Sequence, residues 1–163
     1  KTIKESREHA AEIKDKEMRR NNVIIYRVPE STETENQTRF KQDKDFCYKL
    51  VTSVLGIDCN EHELKRVTRL GRRGDVERRP ILLEFRSGGV KNRMMESLSK
   101  LRDAEEVYKH LSIVHDMTKA ERAECKSLVE EAKVRETQDN SGEWMYRVRG
   151  SPGSYKIVKI RRS

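Results

Sequence analysis

The stretch ELKRVTRLGRRGDVERRPILLEF, Glu63 to Phe85, decides how the rest of the chain is read. Two short apolar runs flank a loop that holds Arg72, Arg73, Arg78 and Arg79, punctuated by Gly71 and Gly74. On the approach, Arg66 and Arg69 alternate with Val67 and Leu70, which suits one strand carrying arginine on its faces. After Pro80 the run Ile81, Leu82, Leu83 and Phe85 is rich in β-formers and starts a second strand. Two strands joined by a flexible cationic loop make a shape that can grip a polyanion.

Toward the N-terminus, Val23, Ile24, Ile25, Tyr26 and Val28 predict a strand closed by Pro29, followed by a polar loop over STETENQT. A helix is expected from about Arg39 to Leu55, with Phe40, Phe46, Cys47, Leu50, Val51, Val54 and Leu55 on one face and Gly56 as its stop. Toward the C-terminus, Ser87 and Gly88-Gly89 turn the chain into a helix from about Val90 to Leu101, with Val90, Met94, Leu98 and Leu101 facing inward. Val107 to Val114 reads as a short last strand. The order β-α-β-β-α-β predicts an α+β domain over 21–116, with two helices covering one face of an antiparallel sheet. This is the ferredoxin-like arrangement that RNA-recognition motifs also use.

Two segments flank that domain. Residues 1–20 hold no Gly or Pro and are dense in Lys, Glu and Ala, which predicts helix. Ile3, Ala10, Ile13 and Met18 form a sparse seam near heptad spacing, so the helix is either a solvated charged one or the end of a coiled coil. Residues 117–163 read as a helix of about Lys119 to Thr137 followed by a β-hairpin. Thr118 and Glu121 form a capping box, and Ala123, Leu128, Val129 and Ala132 make a weak inner face. The hairpin strands run from Trp144 to Val148 and from Tyr155 to Ile160, joined by a turn over Gly150-Ser151-Pro152-Gly153. Arg147, Arg149, Lys156, Lys159, Arg161 and Arg162 crowd the end of the chain, where no acidic residue offsets them.

Composition supports a polyanion partner. The chain has 163 residues, of which 39% are charged and 34% hydrophobic, with a net charge of +8 and a pI near 9.5. Such a balance favours nucleic acid or an acidic membrane surface, against the plainer reading of a basic protein with no such ligand. No apolar run approaches the roughly 20 residues that span a bilayer. The chain begins at Lys1 with no signal or transit pattern and reads as an excised segment. Cys47, Cys59 and Cys125 are odd in number and far apart, as expected of reduced thiols inside a cell.

Other chemistry finds little support. Cys59 and His62 have ligand-like spacing without a second pair nearby, and His110 and His115 are isolated, so no metal site is expected. No nucleophile elbow, P-loop or H-E-x-x-H is present, and no cofactor or catalytic residue is assigned. Arginine suits nucleic acid because its planar fork pairs phosphate and its face stacks on bases. Tyr146, Tyr155 and Trp144 are candidate stacking rings, although Trp144 fits the core of the hairpin better. The third-strand stretch carries Pro80 and Leu82 where RNA-recognition motifs usually place aromatics, and Tyr26 is the only ring on the first strand. Binding should therefore rest on arginine, tolerate sequence and weaken with salt.

The junction Arg19-Arg20-Asn21-Asn22-Val23-Ile24-Ile25-Tyr26-Arg27-Val28-Pro29-Glu30 resembles the start of the RNA-binding domain in the first-open-reading-frame protein of LINE (non-LTR) retrotransposons. Further similarity lies in Arg69-Leu70-Gly71 with its arginine loop, in Ile81 to Phe85, in Ser112-Ile113-Val114-His115-Asp116-Met117-Thr118, and in Tyr146-Arg147-Val148-Arg149-Gly150. The resemblance covers nearly all of the chain from Met18 onward. It implies a homotrimer joined by a coiled coil, a noncanonical RNA-recognition domain, and a C-terminal domain closing a basic cleft over single-stranded RNA. It also implies nucleic-acid chaperone activity and packaging of the element's transcript in cytoplasmic ribonucleoprotein particles, with the nucleus as a second location. Carried over, the binding residues are Arg19, Asn21, Asn22, Arg69, Arg72, Arg73, Arg147 and Arg149. Ile24 and Glu84 depart from the basic residues found in relatives.

With the residues read from charge and aromaticity, the candidate nucleic-acid interface comprises Arg19, Arg20, Asn21, Asn22, Tyr26, Arg66, Arg69, Arg72, Arg73, Arg78, Arg79, Tyr146, Arg147, Arg149, Tyr155 and Lys156. Its expected partners are single-stranded RNA, then single-stranded DNA, with self-association through the N-terminal helix and no membrane. A non-enzymatic assembly module whose basic surface meets an acidic protein is the alternative. A hydrolase is a third reading, for which no nucleophile elbow speaks.

Overall fold

The computed structural model describes residues 2–163. The chain divides into two compact units, Arg20–Asp116 and Lys1–Arg19 with Met117–Ser163.

Within Arg20–Asp116, β1 (Asn22–Tyr26), β2 (Leu64–Arg69), β3 (Ile81–Phe85) and β4 (Ser112–His115) form one antiparallel sheet in the order β2-β3-β1-β4. The unit is therefore α+β. Period-2 alternation decides its two faces. Val23, Ile25, Ile81, Leu83, Phe85, Val67 and Ile113 point to the side of α2 (Asn36–Lys49) and α3 (Gly88–Glu96) and are buried. Cys47, Leu50, Val51, Leu55, Val90, Met94 and Leu101 meet them from the helical side. At roughly 1.5–3 kcal/mol for each large side chain taken out of water, this layer supplies the stability of the unit. The opposite face presents Ile24 and Tyr26 on β1, Arg66 and Thr68 on β2, Leu82 and Glu84 on β3 and Val114 on β4, none of them buried.

Several boundaries differ from the sequence reading. The first helix starts at Asn36, shortening the polar loop, and its last turn, Leu50–Val54, is a π-helix ending at Gly56 in the left-handed region (φ +71°). Phe40, expected in the core, is 53% exposed. The second helix ends at Glu96 and continues as a 3₁₀ segment over Leu98–Asp103. The strand expected over Val107–Val114 is shorter, because Glu106–Lys109 closes one helical turn, α4. There Tyr108 turns inward and stacks on Phe46, with ring centroids 5.4 Å apart. Arg27 takes φ +70°, an uncommon conformation for a side-chain-bearing residue, and its Nε donates to the His110 carbonyl at 2.5 Å. That turn lets Val28, just past the strand, return to the core at 1% exposure.

In the second unit, α1 (Ile3–Arg19) has no buried residue, and Ile3, Ile13 and Met18 are exposed. The capping box predicted for α5 (Lys119–Gln138) is present, with Thr118 Oγ1 accepting from the Glu121 N–H at 3.1 Å and Glu121 Oε1 from the Thr118 N–H at 3.0 Å. Thr118 also donates to Glu12 of α1 at 2.6 Å. Of the expected α5 inner face only Ala132 is buried, whereas Ala123 and Val129 are exposed. β5 (Trp144–Arg149) and β6 (Lys156–Arg161) pair as a two-stranded hairpin beside α5. Its turn needs Gly150, at φ +114°, where a Cβ would lie 2.6 Å from the Ser154 carbonyl oxygen.

Candidate nucleic-acid interface

The arginine loop between β2 and β3 is built in two tiers. At its stem, Arg69 reaches the helical side of the sheet and clasps Asp43 of α2 with both prongs, Nε at 3.0 Å and Nη2 at 2.8 Å. The same guanidinium donates to the carbonyls of Val28, Pro29 and Arg79 at 3.0, 2.8 and 2.7 Å. Its side chain is 6% exposed. Arg66, three residues earlier, falls on the opposite face and pairs loosely with Glu84 at 3.5 Å while 68% exposed. The odd spacing separates two arginines that the alternating pattern had placed together on β2.

Arg79 closes the other side of the stem. Its Nε and Nη2 hold Glu30, and its Nη1 donates to the Gly71 carbonyl at 3.0 Å. Burial works to raise the Glu30 pKa, but the Arg79 hydrogen bonds and the charges of Arg79 and Arg69 outweigh it and hold the carboxyl below its ordinary value. Arg69 and Arg79 thus brace the loop with their donors already engaged.

The tip is different. Residues 71–78 are all exposed. Arg72 has no hydrogen bond or ion pair among the described residues, and Arg78 reaches only the Arg27 carbonyl at 3.4 Å. Arg73 touches the Ser31 and Glu33 carbonyls at 3.4 and 3.3 Å, long contacts that leave most of its fork unused. A rigid stem therefore presents three cations on a tip free to adapt.

The junction residues divide. Asn22 is buried at 6% exposure and its amide donates to Asp116 Oδ2 at 3.1 Å, so it ties β1 to the residue after β4 and offers no surface for a ligand. Asn21 accepts the Phe85 N–H through its carbonyl at 3.0 Å. Arg20 is exposed, as is Tyr26 at 39% on the open sheet face. Arg19 sits on α1, with its Nε on Asp15 at 2.7 Å.

The remaining candidates lie on the hairpin. Arg149 and Lys156 are direct cross-strand partners, and both are exposed. Arg147 donates to Glu136 of α5 at 3.3 Å, an oxygen it shares with Arg162 at 3.1 Å. Tyr146 donates to Asp139 at 3.0 Å, which with the stronger Ser141 hydrogen bonds lowers the Asp139 pKa. Tyr155 donates to the Met117 sulfur at 3.3 Å, and burial followed by nearby anionic groups pushes its hydroxyl up to about 12. Both rings are half-buried and their hydroxyls are engaged. Trp144 is also half-buried and carries Lys159 over its ring at 4.5 Å. Of the candidates on this hairpin, Arg149 and Lys156 are the exposed cations with no ion pair among the described residues.

Sequence reasoning missed Arg39 and Phe40, which line a groove of about 660 Å³ between α2 and β2 with Lys65, Arg66 and Thr68. Cys47 on α2 is pushed up to about 12 by burial and by the Asp43 charge, so its thiol stays protonated. Among the described residues no helix is long and apolar enough to cross a membrane. No family model matches the chain, and a search of curated proteins finds no match.

Proposed function

We propose that this chain is a non-enzymatic, single-stranded RNA-binding and chaperone protein of the LINE first-open-reading-frame kind, packaging its transcript with low sequence specificity. The observation that carries the reading is the division of labour in the arginine loop. Carboxylates satisfy the stem arginines, whereas Arg72, Arg73 and Arg78 at the tip are left for an external anion. The strand order β2-β3-β1-β4 with α2 and α3 on one face supports reading the unit as a ferredoxin-like, noncanonical RNA-recognition motif. An open face with one exposed ring, Tyr26, fits binding by charge more than by base stacking. Exposed Ile3, Ile13 and Met18 on α1 support self-association, for which a homotrimer is the proposed state. Cytoplasmic ribonucleoprotein particles are the proposed location.

Filter binding of single-stranded RNA across a salt series tests the reading. About six phosphate contacts give a log–log slope of roughly −4, at about −0.7 per contact. No binding at low salt would end the idea. Replacing Arg72 and Arg73 together by Ala should weaken binding to all sequences alike and flatten the slope by roughly 1.4. An acidic protein partner that RNA fails to displace would favour the assembly reading instead.

A further inference from the structure

Phe40 lies on the inward phase of α2, yet it is 53% exposed within the groove of about 660 Å³ beside β2. One exposed ring is ordinary by itself. Its surroundings are less so. Of the charged groups lining the groove, Glu30 and Asp43 are neutralised by Arg79 and Arg69, while Arg39 and Lys65 have no ion pair among the described residues. The groove is thus left with a cationic excess.

A second feature points to an anion. Arg39 Nη1 donates to the Glu33 and Thr34 carbonyls at 2.8 and 2.6 Å and its Nη2 to Asn36 Oδ1, and Arg73 Nη2 approaches the same Glu33 oxygen at 3.3 Å. Two guanidiniums converge on one neutral acceptor, where their charges repel each other. A phosphate would offer each fork its own oxygen and cancel the repulsion. Arg73 belongs to the loop tip and Arg39 precedes Phe40 on α2, so the 31–34 segment links the loop to the groove.

We propose that the α2–β2 groove takes one nucleotide of the bound single strand, with its base against the Phe40 ring and an adjoining phosphate between Arg39 and Arg73. The groove volume lies within the range of small-ligand sites, roughly 300–1,000 Å³. This inference rests on the single-strand reading above and extends the path of the strand away from the open sheet face, around the β2 edge.

Fluorescence anisotropy with labelled oligouridylate and an abasic phosphodiester strand of equal length, on the full chain, tests it. Phe40→Ala should lower oligouridylate affinity roughly five- to tenfold, as expected for one lost stack. It should leave the salt slope and abasic-strand affinity unchanged, and Phe40→Trp should restore binding and report it by quenched emission. Arg39→Ala should weaken both strands and flatten the slope. If wild-type protein binds RNA but Phe40→Ala matches it, or if Phe40→Ala weakens the abasic strand equally, the subsite is refuted while the RNA reading stands. Quenching of Phe40→Trp by polyglutamate but not by oligouridylate would also refute it, making the groove a docking site for acidic protein. Absence of any RNA binding by the wild type refutes the parent reading instead.

Discussion

Arg69 and Arg72 stand three positions apart and look alike in the sequence, yet their chemistry is opposite. Arg69 gives five hydrogen bonds from a side chain 6% exposed, and its partner Asp43 is only 13% exposed. Removing the guanidinium would strand a carboxylate in a place where water reaches it poorly, at a cost of about 3–5 kcal/mol. Arg69→Ala should therefore lower the urea midpoint strongly, while Arg72→Ala leaves stability within about 0.5 kcal/mol and, under the proposed function, acts only on RNA affinity. Equal stability of the two variants in urea melts would refute the stem-and-tip division. The arginine density was legible in the sequence because charge is written in composition. The roles were not, since Asp43 lies 26 positions from Arg69 and Asp116 lies 94 from Asn22, and no local pattern reports such pairings.

For whole elements, period and punctuation served well where a segment contacts the core along its full length. β1 and β3 fall close to where Val23–Val28 and Ile81–Phe85 predict them, and the start of α5 is set instead by its local capping box at Thr118 and Glu121. They failed where an element overhangs the core. Phe40 and Cys47 are seven residues apart and nearly in phase, but seven residues are about 10 Å of helix, and the ring lies beyond the buried layer. Periodicity supplies the angle about an axis and says nothing of where the opposing surface ends. A second element-level feature joins β4 to α3: His115 Nδ1 is 2.7 Å from Lys91 Nζ. Burial, then the Lys91 charge, pushes the imidazole down to about 4 from 6.5. Because the folded value is depressed, the folded state holds the neutral ring while the unfolded chain takes up a proton. This contribution to stability is complete above about pH 6.5 and is lost as pH falls toward 4, below which the loss levels off. Urea melts at several pH values should show His115→Gln with a shallower decline than wild type across that window. Identical slopes would show that His115 stays accessible to protons in the fold.

At the scale of the molecule, the apolar core is unevenly distributed. Every member of the main hydrophobic cluster, from Val23 to Ile113, belongs to Arg20–Asp116. Among the described residues of the other unit Ala132 is the only buried apolar one, and Met145, Val148, Ile157, Val158 and Ile160 are half-buried. A two-stranded hairpin against one helix is marginal in water, since it orders many residues for little buried area. The sequence showed this imbalance in outline, through a long run of apolar strands in the middle and a charged helix with a weak face after it. Such a distribution predicts two levels of stability in one chain. In native-state hydrogen exchange the amides of β1 and β3 should open only with global unfolding, whereas those of β5 and β6 should exchange through smaller openings that depend weakly on denaturant. Under the proposed RNA reading, the basic hairpin is the part that can rearrange on binding. Added RNA should slow exchange in β5 and β6 more than in β1 and β3. Equal protection of both sheets without RNA would mean that the hairpin shares the stability of the main core, and its adaptive role would fall.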